Sequence, residues 1–291
     1  GTNLGPFSEV ITGLNLSTTY YYRSYAINTS GIAYGEVKSF TTLANNTNNY
    51  SSIRGGQWSD VSKWSLGRIP VTTDNVVITS GSAVSVDLPN IEVNDLTVLG
   101  RTIIRTDASI TVNGDFSNSD EFIITSDEND SGVLLVKGST TGTINYARGG
   151  LLANRWSLVS PVVQNQLIVP FAQNAINNIR VNTAANPDRY AIGYYESLNA
   201  PGNRWQYFNE NTNSSNAFEV GTGYIVSRAT DGAVIFTGNL HVDDINKNVI
   251  GNQWNAIGNS FAAYYPLNKN SGNNFLTENA SKLVIPAAYT W

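Results

Sequence analysis

The triplets Leu96-Thr97-Val98, Ile110-Thr111-Val112, Phe122-Ile123-Ile124 and Leu134-Leu135-Val136 decide the fold. They begin 14, 12 and 12 residues apart, and Ser, Asn and Asp flank them. Alternation places the first and third residue of each triplet on one side, as in a half-buried strand. Val76–Ile78 and Val84–Val86 read the same way. Regular short strands of this kind build either a short β-solenoid or a small sandwich of hairpins. The polar flanks favour the solenoid, where they would stand at the corners of stacked rungs. Thr111-Val112-Asn113-Gly114-Asp115-Phe116 reads as a strand running into an Asn-Gly turn. Trp58 and Trp64, which open this module, are expected to plug its end.

Outward from that region the chain keeps the same character. Pro, Gly and Asn interrupt almost every window before a 3.6-residue period can run for three turns. Only Phe275–Ser281 suits a single helical turn. The expected class is all-β. The 291 residues give room for two or three modules and ample core. Charged residues make up only 13%, and the polar remainder is Asn, Thr, Ser and Gly. A net charge of −5 without a basic stripe argues against nucleic acid. No run of 18 apolar residues suggests a membrane span. The absence of Cys removes disulfides, thiol nucleophiles and Cys-based zinc sites. With one His and no Met, the chain is poor in catalytic material.

Four segments follow. Residues 1–44 hold Leu14 six positions before Tyr20, then the run Tyr20-Tyr21-Tyr22-Arg23-Ser24-Tyr25, an Asn28–Gly31 turn and a last strand ending Phe40-Thr41-Thr42. Alternation puts Tyr20 and Tyr22 on one face and Tyr21, Arg23 and Tyr25 on the other. Residues 45–52 read as a polar linker. Residues 53–149 are the solenoid-like Trp module. Residues 150–291 are expected to form a larger β-sandwich with an internal pseudo-repeat. The basis is that Asn154-Arg155-Trp156-Ser157-Leu158-Val159-Ser160 returns as Asn252-Gln253-Trp254-Asn255-Ala256-Ile257-Gly258. After the second copy only Tyr289-Thr290-Trp291 echoes what followed the first, so the sequence reads as a segment of a longer protein.

The Leu14…Tyr20 spacing resembles the tyrosine corner of fibronectin type III domains, and covers the last three strands of such a domain. The order of the pieces resembles surface proteins that Bacteroidetes export by type IX secretion. The residues that carry this are Thr19–Gly35 with Phe40–Thr42, the Trp58/Trp64 opening through Pro70 to Asp74–Ile78, Trp156–Pro161, and Phe275–Leu283. The resemblance implies export by the type IX machinery and an extracellular or cell-surface location. The C-terminal sorting domain of that family has no counterpart here.

Candidate chemistry is thin. Asp127, Asn129 and Asp130 could begin a calcium loop, or form an acidic hairpin tip. Trp205, Tyr207 and Tyr195 could form a sugar-stacking platform, although Trp205, Tyr207 and Phe208 cannot share one strand face. His241 with Asp243 or Asp244 could form a base or a metal ligand pair, and alternation, which puts His241 and Asp243 on one face, suits a surface pair equally well. Gly221-Thr222-Gly223-Tyr224 suits strand crowding better than a nucleotide. The leading reading is a non-enzymatic extracellular stalk or adhesin without a cofactor. Its alternatives are a carbohydrate-binding module, the accessory region of a secreted hydrolase, and a fibre subunit completed by strands from neighbouring surface subunits.

Overall fold

The computed structural model describes residues 11–15, 18–42, 46–267 and 274–283. The Tyr289-Thr290-Trp291 echo lies outside them. The chain divides into two units, residues 1–47 and 48–291. Among the described residues no helix is long and apolar enough to cross a membrane.

The first unit is one long antiparallel hairpin in two segments. Strand β1 (Thr19–Tyr22) pairs with β4 (Lys38–Thr41), and β2 (Tyr25–Asn28) pairs with β3 (Gly31–Tyr34). The turn is set by the Asn28 side chain, which accepts from the Ser30 N–H at 2.8 Å. Tyr20 stacks on Phe40 with centroids 5.9 Å apart, and its hydroxyl accepts from the Asn15 N–H at 2.8 Å. That bond ties the strand to the segment that precedes it. On the other face Arg23 lies 3.7 Å above the Tyr34 ring, within range for a cation–π contact.

The second unit opens with β5 (Thr47–Tyr50), whose Asn48 and Tyr50 are fully buried. Part of the stretch read as a linker is therefore a strand of the core. Three rungs follow, each of three strands. The first is β6 (Asn75–Ile78), β7 (Ala83–Val86) and β8 (Ile91–Val93). Next come β9 (Leu96–Val98), β10 (Arg101–Ile104) and β11 (Ser109–Val112), then β12 (Phe116–Asn118), β13 (Phe122–Thr125) and β14 (Val133–Val136). Strands stack in parallel on three faces: β5-β6-β9-β12 with β15 (Thr140–Thr141), β7-β10-β13, and β8-β11-β14. This is a β-solenoid. Val76, Leu96 and Phe116 lie in register in one column, so a rung takes 20 residues.

The triplet spacings of 14, 12 and 12 are steps between faces rather than rungs. Arg101–Ile104 and Phe116–Asn118 are strands that the triplet pattern passed over, because Arg101 and Ser117 dilute their apolar content. The Asn113-Gly114 step is a corner of the solenoid and not a hairpin. Corner side chains form ladders: Asp95 accepts from the Asp115 N–H at 2.9 Å, and Asp115 accepts from the Ser139 N–H at 2.8 Å. Gly138 is required at its corner, since a Cβ there would sit 2.4 Å from the Gly114 carbonyl oxygen.

The plug at the first rung holds as expected. Trp58 and Trp64 are buried edge to face at 4.7 Å, Tyr50 meets Trp64 at 4.9 Å, and the Trp64 indole N–H donates to the Trp58 carbonyl at 2.8 Å. Beside it Asp74 is buried and takes two bonds from Arg68, at 2.6 and 2.9 Å, and one from the Val71 N–H at 2.9 Å.

The boundary expected at residues 149 and 150 falls inside β16 (Thr143–Leu151). This strand pairs in parallel with β13 and antiparallel with β23 (Gly232–Leu240), which in turn pairs with β18 (Val163–Gln164). One solenoid face thus continues into the C-terminal region as a six-stranded sheet. A second sheet contains β17 (Trp156–Val159), β22 (Tyr224–Ser227), β20 (Arg189–Tyr195) and β19 (Val181–Asn182), with β21 (Trp205–Asn209) paired to β20. Helix α1 (Ile168–Gln173) wedges between the sheets. Its Phe171 packs on Phe236 of β23 at 4.8 Å and on Phe218 at 5.0 Å, and Phe218 meets Tyr224 of β22 at 4.9 Å. The core runs unbroken from rung to sandwich. Helix α1 escaped the sequence reading because of Pro170. That residue lies in the first turn, where a backbone N–H has no intrahelical acceptor in any case.

The pseudo-repeat is local. Asn154 and Asn252 both adopt φ 58°, two residues before each Trp. The first copy forms β17. The second builds no further sheet, and instead seats Ala256–Gly258 on Gly221–Gly223, with Gly223 N–H to Ala256 O at 3.2 Å and Gly258 N–H to Gly221 O at 3.1 Å. The Leu134 N–H donates to the Ala262 carbonyl at 2.8 Å, so this segment also covers the free edge of β14. A single helical turn, α2 (Phe275–Glu278), stands where the sequence allowed one.

Candidate functional site

Strand β21 sorts its aromatics by alternation. Phe208 faces the core, 5.1 Å from Tyr194 and 6.4 Å from Tyr224. Trp205 and Tyr207 share the outer face. Trp205 meets Tyr195 edge-on at 5.1 Å, as cross-strand partners. Tyr207 lies opposite Gly193 and reaches Trp156 of β17, with centroids 5.5 Å apart. Gly193 leaves a gap in the outer face that Ile225 fills, since a Cβ there would stand 3.0 Å from Ile225 Cγ1. Trp156 and Tyr207 remain 44% and 37% exposed.

Trp205 and Tyr207 line a cleft of about 710 Å³ together with Arg189, Gln206, Asn209 and the β20–β21 loop residues Asn199 and Asn203. The loop is braced by Arg204, which donates to the Asn199 carbonyl at 3.1 Å and to the Tyr195 hydroxyl at 3.3 Å. The structure therefore brings two of the three aromatics read from sequence into one cleft. Tyr195 supports Trp205 from beside it and does not line the cleft. Sequence reasoning missed Arg189 and Asn203, and placed Trp156 only as a repeat marker. The visible signal was the outward set Ala191, Gly193 and Tyr195, whose small members leave room for large rings on neighbouring strands.

The calcium candidates Asp127, Asn129 and Asp130 are hydrogen-bonded chiefly within their own loop. Asp127 Oδ1 accepts from the Asn129 and Asp130 N–H groups, both at 2.8 Å. Asp130 bonds the Tyr264 hydroxyl and accepts from the Ser131 N–H at 2.8 Å, and both bonds hold its carboxyl below the ordinary range. Asn129 donates to Glu128 at 3.4 Å. The run is a loop tip tied down by its own carboxylates. Among the described residues no three His, Asp or Glu side chains group as metal ligands.

His241 is buried, with Nδ1 2.8 Å from the Gln164 side-chain nitrogen and the ring 5.5 Å from Phe261. It makes no hydrogen bond to Asp243 or Asp244. It lines a second cleft, about 530 Å³, with Gln164, Phe218, Glu219, Asp244 and Lys247. There the Lys247 ammonium, 2.6 Å from Glu219, holds that carboxyl below its ordinary pKa. The Gly221-Thr222-Gly223 run carries the bridge to Ile257 described above, so its glycines serve close strand approach.

No family model matches this chain, and neither a curated protein nor a solved structure does.

Proposed function

We propose that this chain is a non-enzymatic extracellular segment of a bacterial surface protein, exported by type IX secretion and serving as a stalk for display or adhesion. The observation that carries this reading is the continuity of the second unit. Three in-register solenoid rungs run without a break in sheet or core into the C-terminal sandwich. A load across such a stack meets many backbone hydrogen bonds at once, and within the second unit the sheet and core are continuous. Burial of the sole His against Gln164, with no hydrogen bond to a carboxylate, also supports a mechanical rather than a chemical role. Export and surface location rest on the sequence resemblance.

Single-molecule pulling between the chain ends tests the mechanical part. Residues 48–283 are expected to resist and then release in one or two cooperative events, totalling roughly 800 Å of extension. A gradual extension at low force would sink the stalk. Protease shaving of intact producing cells tests location, and the expected result is release of peptides from this chain without lysis.

A further inference from the structure

We infer that the cleft between β20, β21 and their connecting loop is a glycan-binding site, a role beyond the mechanical one and independent of it. Three observations converge. The cleft floor carries Trp205 and Tyr207 from one strand face, and the Tyr207 ring continues onto the half-exposed Trp156. Flat, partly exposed rings of this kind suit the apolar C–H face of a pyranose, which loses little on leaving water. The polar walls are supplied by Arg189, Asn203, Gln206 and Asn209, without a carboxylate or a His. Planar amide and guanidinium groups donate and accept in pairs, which matches adjacent sugar hydroxyls.

The third observation is that part of this lining is uncommitted: Gln206 Nε2 donates to the Asn203 carbonyl at 2.6 Å and Asn209 Oδ1 accepts from the Asn211 N–H at 2.9 Å, but three other groups are unspent. The Arg189 guanidinium, the Asn203 side-chain amide and the Tyr207 hydroxyl make no hydrogen bond or ion pair with any other described residue. Elsewhere on the sheet the comparable groups are spent. Arg204 braces the loop, and Arg228 is buried against the carbonyls of Ile176, Thr230 and Ala233. The loop that closes the cleft is itself held by Glu196 N–H to Arg204 O at 2.6 Å and by Arg204 to Gln253 Oε1 at 3.2 Å, so the polar groups stand in a prepared frame. The ligand class is a pyranose oligosaccharide: the rings take its C–H face, and Arg189 takes a hydroxyl pair or the carboxylate of a uronic acid. With no general acid or base lining the cleft, the bound sugar is held and not cleaved.

Titration calorimetry of the full chain with cellohexaose, chitohexaose, mannohexaose and hexagalacturonate tests this. At least one is expected to bind. Tyr207→Ala should weaken it about tenfold, Tyr207→Phe by much less, and Tyr25→Ala in the N-terminal hairpin not at all. Arg189→Gln should weaken hexagalacturonate more than any neutral sugar if the ligand is acidic, and all of them by a similar factor if it is neutral. The inference is overturned if none of the four binds, or if folded Tyr207→Ala binds as the parent does. Should Tyr207→Ala fail to fold, the exposed Arg189→Gln decides, and unchanged affinity for every sugar overturns it. Failure here leaves the pulling result untouched, so the two readings fall separately.

Discussion

The hairpin of residues 19–41 and the solenoid rungs of residues 75–136 carry the same alternating code and use it in opposite ways. In the rungs the alternation becomes burial: Val76, Ile78, Leu96, Val98, Ile110, Val112, Phe122 and Ile124 are all closed from solvent. In the hairpin Tyr21, Tyr25, Ile27, Ile32 and Tyr34 have the same residue character and remain more than half exposed. Both regions satisfy their backbone ladders. What differs is the number of neighbours that a strand can reach. An inner rung strand such as β9, β10 or β11 has partners above and below and two further faces closing on its inner side. Among the described residues a hairpin strand has one partner, and a two-stranded ladder on its own is marginal in water. Hydrogen bonds exchanged with water contribute little net stability, so burial decides which of the two regions is rigid.

The sharpest way to break this contrast is to remove one ring from each region. Phe116 is closed from solvent and meets Phe122 edge to face at 5.1 Å. Phe116→Ala is expected to cost about 3–5 kcal/mol in urea unfolding of the second unit. Phe40→Ala in the hairpin is expected to cost under about 1 kcal/mol, because its ring is already partly wet. Equal effects would show that the hairpin shares a core comparable to that of the rungs.

A somewhat smaller effect tests the corners. Gly138→Ala places a methyl against the Gly114 carbonyl, which belongs to a stacked corner and cannot turn aside. A loss of about 1–3 kcal/mol is expected from thermal or urea melts. A neutral result would mean that adjacent rungs slide apart readily, which would also weaken the stalk proposal.

Acid sharpens the picture at the plug. Burial pushes the Asp74 carboxyl up, but the Arg68 fork and the Val71 N–H outweigh it and leave the group below its ordinary pKa. The folded pKa is depressed, so the stabilisation is complete above the unfolded value, near 4. It is lost as pH falls through the folded value. Asp74→Asn should therefore cost about 1–2 kcal/mol at neutral pH, and progressively less below about pH 4. A penalty independent of pH down to about 2 would contradict the assignment. The smallest expected change is at the exposed Arg101–Glu121 pair, where Glu121→Gln should shift stability by under about 0.5 kcal/mol.

Much of the solenoid was legible because alternation is a local property. Every apolar triplet lies within a strand that starts at the triplet or one residue before it, and the Ser, Asn and Asp flanks do form the corner ladders. What could not be read was the rung. Counting rungs requires knowing that Arg101–Ile104 and Ile91–Val93 are strands, and their pairing partners lie 18 to 20 residues away. The same limit applied to the repeat. Asn154 and Asn252 imposed one local backbone conformation on both copies. Only the first copy found a sheet, because β22 offers it an edge. At the cleft, the sequence could say that Trp205 and Tyr207 share a face and that Phe208 does not. It could not say that Tyr207 would meet Trp156 across two intervening strands, or that Arg189 would stand beside them.

By itself, then, the sequence determined the all-β class, the strand character of the apolar triplets, the Trp plug, and the inward or outward sense of the triplet residues. Those depend on backbone sterics and on a two-residue period that each segment carries within itself. The tertiary structure alone decided that solenoid and sandwich share one sheet and one core, that residues 47–50 belong to that core, and which outward aromatics and amides converge on a cleft. These are matters of long-range strand pairing, in which segments far apart in sequence compete for the same edges and the winner is set by total burial.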